Sequence, residues 1–81
     1  MSHQEVFDLV VKHTREVVPE LDGHTFEATD SLRELGANSM DRADIIMMTL
    51  EALSVSTPLA ELAGANNIGE LAKLIHDKST A

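Results

Sequence analysis

Apolar residues recur along the first quarter of the chain at steps of three and four. Val6, Val10, His13 and Val17 form one line at that spacing, and Phe7, Val11, Thr14 and Val18 widen it. A stripe of this period marks a helix with one buried face, so a helix is expected from Gln4 to Val18. Ser2 followed by Glu5 offers a capping box at its start. Pro19 ends it, because the residue before a proline is pushed out of the helical region. The valines favour strands by propensity, but the alternation a strand requires is missing.

From Glu20 to Ala37 the apolar positions thin to Leu21, Phe26, Leu32 and Leu35, with turns marked by Gly23 and Gly36. This reads as a long connection tied down by Leu32 and Leu35. A short helical turn is expected over Ser31–Leu35, capped by Asp30. A second helix follows from Ser39 to Leu53. At about 100° per residue, Ile46, Thr49, Leu50 and Leu53 share the side expected to face the core, with Ile45 at its margin. Met40, Ala43, Asp44, Met47 and Glu51 share the opposite side, with Met48 nearby. Thr57 as cap and Pro58 at the first helical position predict a short helix closed by Gly64. Asn67 and Glu70 cap a last helix, whose stripe of Ile68, Leu71, Ala72 and Ile75, broadened by Leu74, runs to about Lys78. Ser79 to Ala81 is expected to fray. The fold class is therefore all-α: a small four-helix bundle, three principal helices plus one short helix, with a long first loop, in one domain spanning 1–81.

Composition narrows the function. A formal net charge of −8 and only two aromatic residues exclude nucleic acid as a partner, since a phosphate backbone is repelled and bases find nothing to stack on. Proteins with basic patches fit better, although acidity also serves plain solubility. The chain has no cysteine, hence no disulfide and no thiol chemistry of its own. It also lacks a signal peptide and an apolar run of membrane-spanning length, so a cytoplasmic location is expected, and the chain is expected to act as a monomer. His3, His13, His24 and His76 show no metal-ligand spacing, and the carboxylates are scattered along solvated faces. No catalytic residue and no metal site are assigned, and the chain is not expected to be an enzyme. Thr14, on the apolar stripe, is expected to be a half-buried hydroxyl with its hydrogen bond satisfied.

One hydroxyl stands apart. If Asn38 is the N-cap of the second helix, Ser39 is left free for modification, and a phosphodiester there meets the positive end of the helix dipole. Position alone equally allows Ser39 to be the cap. The residues around it go further. Asp30-Ser31-Leu32 with Glu34-Leu35-Gly36-Ala37-Asn38-Ser39-Met40-Asp41 resembles the acyl carrier protein signature, a leucine-glycine loop leading to Asp-Ser-Leu at a helix start. The resemblance spans nearly the whole chain. It implies that Ser39 carries 4′-phosphopantetheine, attached from coenzyme A by a separate, magnesium-using phosphopantetheinyl transferase, and that the arm's thiol holds acyl groups as thioesters. Asn38 stands where aspartate is usual and Met40 where leucine is usual, departures that leave the acceptor hydroxyl intact.

The fuller run Gly36 to Glu51 is similar to the freestanding donor carriers of bacterial polyketide β-branching cassettes. That resemblance implies a malonyl-loaded carrier, decarboxylated to acetyl, that serves an HMG-CoA-synthase-like enzyme, with an acyltransferase and a decarboxylating ketosynthase as further partners. Partner contacts are then expected on Met40, Asp41, Arg42, Ala43, Asp44, Met47, Met48 and Glu51, methionine being an adaptable contact residue. Arg42, projected toward the core side with its head snorkelling to solvent, suits either the arm's phosphate, a partner's acidic group or simple cover of the helix top. Two alternatives stay open: a carrier from another fatty-acid, polyketide or aminoacyl pathway, and an unmodified helical adaptor that binds through the methionine face.

Overall fold

The computed structural model describes residues 2–62 and 64–80. Three α-helices run in order: α1 (His3–Val17), α2 (Ser39–Leu53) and α3 (Ile68–Thr80). Single 3-10 turns follow α1 at Pro19–Leu21 and precede α3 at Leu59–Leu62. Among the described residues there is no strand, and no helix is long and apolar enough to cross a membrane. The molecule measures 34 × 23 × 20 Å, and α1 is the element against which both α2 and α3 pack.

Each helix begins where its side chains satisfy the free amides of the first turn. Ser2 Oγ accepts from Glu5 N while Glu5 accepts from Ser2 N, the expected capping box. Asn67 Oδ1 accepts from Glu70 N at 2.8 Å to start α3. The C-terminus of α2 turns through Ser54 in the left-handed region (φ 55°), with Val55 N reaching back to Leu50 O.

The core joins Val6 and Val10 of α1, Ile45 and Leu50 of α2, Leu62, and Ile68, Leu71, Ala72 and Ile75 of α3. Leu32 is buried among them and Leu35 packs against them, so the long first loop is anchored where expected. Three polar bonds cross or line this core. Thr14, fully buried rather than half-buried, gives its hydroxyl proton to Val10 O at 2.7 Å. Thr49 likewise bonds Ile45 O, which commits its one proton, and His13 Nδ1 at 2.8 Å donates to its oxygen across the α1–α2 seam. Burial holds the His13 imidazole below its ordinary range, with Glu16 opposing and Lys12 reinforcing the shift.

Four further expectations are corrected. The core side of α2 centres on Ile45, which is fully buried, whereas Ile46 and Leu53 are only half-buried. The helix is apolar on too many sides for its period alone to orient it. The turn at Ser31–Leu35 forms, with Leu35 N on Ser31 O, but Asp30 does not cap it. Ser31 Oγ takes Glu34 N at 3.4 Å, while the Asp30 carboxylate turns back to Glu27 N and His24 Nε2. The short helix is one 3-10 turn starting at Leu59, with Pro58 just outside it and Pro58 O accepting from Glu61 N. Finally, Ser79 and Thr80 continue α3 instead of fraying, and Ser79 Oγ donates to His76 O. Ala81 lies outside the described residues.

No pattern in the sequence announces how the first loop meets α3. Ile68 N donates to Asp30 O at 2.8 Å and Gly69 N to Ala28 O at 2.9 Å, so loop carbonyls serve the first amides of α3. The approach is tight: a Cβ on Gly69 would lie 2.8 Å from the Ala28 Cβ. Arg15 holds the other side of the loop, donating to His24 O and lying over the Phe26 ring at 5.1 Å.

Candidate functional site

The start of α2 is assembled by the residues before it. Gly36, at φ +103°, takes the backbone through a region other residues rarely adopt, which explains glycine there. Ala37 then turns inward, only 2% exposed, and its N–H bonds Leu32 O. Asn38 is the N-cap: its Oδ1 accepts from Asp41 N at 2.8 Å, and Asp41 Oδ2 accepts from Asn38 N at 3.2 Å. Because Asn38 does this work, Ser39 is the first helical residue rather than the cap. Its side chain is exposed, and among the described residues its hydroxyl has no hydrogen-bond partner.

The amides of Ser39 and Met40 precede the first intrahelical bond, and Asn38 serves neither. Free amides at a helix start attract an anion, and the helix dipole adds to them. An exposed hydroxyl beside them suits a group joined through a phosphodiester. Arg42 adds a cation one turn on. Its Nη1 donates to Ala37 O at 2.9 Å. Its head therefore does not snorkel to open solvent as expected; it turns back to the loop and remains half-buried.

The residues expected to meet partners separate into two groups. Met40 (76% exposed) and Met47 (52%) form an open apolar strip with the exposed carboxylates Asp44 and Glu51 along it. Ala43 and Met48, half-buried, border the strip. At 1.5 Å per residue, Met40 to Glu51 spans about 16 Å. Asp41 and Arg42 instead bond their own chain, in the capping box and at Ala37 O. Leu59, 38% exposed, is a large apolar residue at the surface, where the sequence pattern marks only a place in the short helix. Its one sequence signal was its place after Pro58. A cleft of about 570 Å³ opens between the first loop and α2, with Arg33, Arg42, Ile46, Leu62, Asn66 and Leu71 among its walls. Among the described residues no group of three or more His, Asp or Glu side chains is arranged to hold a metal ion.

The family described as phosphopantetheine attachment site matches residues 9–75. The chain is similar to polyketide biosynthesis acyl-carrier-protein AcpK of Bacillus subtilis (strain 168), with 54% identity over 78 residues, 96% of this chain and 95% of that protein. It is also similar to a chain in the crystal structure of the curacin biosynthetic pathway HMG synthase in complex with acetyl donor-ACP. There the TM-score is 0.92 and the identity 52%, covering 96% of this chain and 100% of that one.

Proposed function

Because the chain belongs to the phosphopantetheine-attachment family of acyl carrier proteins, we propose that Ser39 is its attachment residue and that the loaded protein delivers an acyl group to an HMG-CoA-synthase-like enzyme. One observation carries the assignment of Ser39: its hydroxyl is exposed and uncommitted at the start of α2 because Asn38 caps the helix in its place. In the reaction, Ser39 Oγ attacks the pantetheine-bearing phosphorus of coenzyme A. The hydroxyl proton leaves to a base on a separate transferase, and adenosine 3′,5′-bisphosphate departs. The attached 4′-phosphopantetheine supplies a flexible arm ending in a thiol, a group this chain does not encode.

The role of the protein is to tether and present. A tethered thioester reaches a partner's active site at high effective concentration, provided the carrier docks in a productive orientation. The strip of Met40, Asp44, Met47 and Glu51 is the docking surface in this reading, with Ala43 and Met48 at its edge. Its apolar atoms supply fit, and its carboxylates supply attraction to a basic partner face. Contacts of this size suit a brief encounter, which a shuttle requires. The structural likeness to a donor carrier bound to an HMG synthase supports that enzyme class as the recipient. The donor role makes the cargo acetyl derived from malonyl, with an acyltransferase and a decarboxylating ketosynthase upstream, in the cytoplasm.

Intact-mass measurement after incubation with coenzyme A, magnesium and a broad-specificity phosphopantetheinyl transferase tests the first half. The wild type gains the mass of one phosphopantetheine and Ser39→Ala gains none. A gain that survives Ser39→Ala moves the attachment elsewhere, and no gain on the wild type favours an unmodified helical adaptor. Acetyl transfer from the loaded protein to an HMG-CoA-synthase-like enzyme tests the second half. Failure there, with transfer to another carrier-dependent enzyme, reassigns the pathway.

A further inference from the structure

Arg42 is the side chain near Ser39 whose arrangement the capping of α2 does not explain. The chain carries fourteen acidic residues against six basic ones, so its cations have a surplus of carboxylates to pair with. Yet among the described residues Arg42 makes no ion pair; its Nη1 bonds a neutral carbonyl, Ala37 O, at 2.9 Å. Glu34 lines the same cleft without pairing with it. One of the five guanidinium donors is thus committed, and the charge is not neutralised.

The carbonyl it holds is well chosen. Ala37 O lies just upstream of the helix, whereas the next carbonyl, Asn38 O, already accepts Arg42 N at 2.9 Å. With Ala37 N on Leu32 O, the Arg42 bond fixes this peptide segment from its second side. A helical side chain leans back toward the N-terminus, and residues three apart are surface neighbours, so Arg42 lies beside Ser39 along α2. A partly buried, unneutralised guanidinium acts through less screening than a fully solvated one.

We propose that Arg42 is a positioning residue for the modified serine: it braces the Ala37–Asn38 junction and holds an unneutralised guanidinium beside Ser39, against the phosphodiester formed there. This rests on Ser39 being the attachment residue. Arg42 then acts within its own chain and is not a partner contact. Arginine rather than lysine suits the role, because a planar fork serves a carbonyl and a phosphate oxygen together and an ammonium serves them less well.

The test uses the loaded full chain of wild type, Arg42→Gln, Arg42→Lys and Arg33→Gln, each verified by intact mass. The ³¹P resonance of the protein-bound diester reads the contact directly. It moves in Arg42→Gln toward the position of a free phosphopantetheine diester, lies between the two in Arg42→Lys, and stays in place in Arg33→Gln, the other arginine of the cleft. Loading by the transferase slows about tenfold in Arg42→Gln, as expected for one lost charge-assisted bond. The loss falls in kcat while KM for the carrier is unchanged, because the exposed methionine strip is untouched. A ³¹P resonance identical in fully loaded wild type and Arg42→Gln overturns the proposal, as does a loading loss confined to KM. Should Arg42→Gln not fold, Arg42→Lys carries the same decision through its ³¹P position. Mass gain on Ser39→Ala would instead overturn the assignment of Ser39, and this inference with it.

Discussion

Helices α1 and α2 are each fifteen residues long and each begins with a capping box, but the two boxes use serine differently. In α1 the serine is the cap, and Ser2 Oγ is occupied by Glu5 N. In α2 asparagine is the cap, so the neighbouring serine is spare. Their surfaces differ in the same sense. Among the described residues α1 leaves no large apolar side chain exposed, whereas α2 shows Met40 and Met47 to solvent. One helix spends its polar and apolar groups on the fold. The other holds a hydroxyl and an apolar strip in reserve, the arrangement the proposed docking role requires.

The comparison depends first on α2 having a true core side opposite its strip. Ile45 is completely buried, so Ile45→Ala should cost about 3 kcal/mol by urea denaturation, the usual range for truncating a buried isoleucine. A domain of this size has roughly 4 to 12 kcal/mol in all, so the loss would be conspicuous. A cost under about 1 kcal/mol would mean that α2 is held mainly by its ends. The caps come next. Ser2→Ala and Asn38→Ala should each cost about 1 kcal/mol, and Ser39→Ala close to nothing. Equal losses at Ser39 and Asn38 would erase the difference between the two serines.

The seam between the helices gives a pH test. Burial lowers the His13 pKa, so the unfolded chain binds its proton more readily than the folded one. Stability is therefore full above the ordinary imidazole value of about 6.5, falls as pH drops through it, and levels off below the depressed native value. Glu5 and Asp30 are also depressed, Glu5 chiefly by its hydrogen bond from the Ser2 amide and Asp30 by that from Glu27 N, and their contribution is lost only in the lower carboxylate range. Denaturation midpoints from pH 8 to 5 should show the first loss, and His13→Gln should abolish it. A wild-type profile flat across that range would show that His13 titrates alike in both states.

Much of this was legible in the sequence because caps and periodicity are written in side chains. Ser2 with Glu5 and Asn67 with Glu70 mark helix starts within a residue, and the freedom of Ser39 follows once Asn38 is taken as the cap. What stayed hidden was carried by backbone or by ambiguity. The carbonyls of Ala28 and Asp30 serve α3 without any side-chain signature, and only Gly69, just inside a helix, hinted at a close approach. Isoleucine, methionine and leucine surround so much of α2 that Ile46 and Ile45 competed for the core on nearly equal terms. The place of Asp41 and Arg42 on the helix gives no sign that each also bonds its own chain, in the capping box and at Ala37 O.

The smallest expected change in stability belongs to the outer strip, and there a null result is informative. Asp44 and Glu51 are exposed and in no ion pair among the described residues, so reversing either to lysine should move stability by no more than about 0.5 kcal/mol. On the proposed docking role their work is at long range. Removing acidic charge from a docking face weakens electrostatic steering, so the double reversal should slow delivery to the HMG-CoA-synthase-like partner. It should also flatten the fall of that rate with added salt, because fewer attractive charges remain to be screened. Loading with phosphopantetheine and the unfolding midpoint serve as internal controls, separating lost docking from lost fold. If stability falls with delivery, the strip is part of the scaffold and α2 resembles α1 after all. If delivery and its salt dependence survive both reversals, the partner meets another face. If delivery alone falls, one side of α2 belongs to the core and the other to the partner.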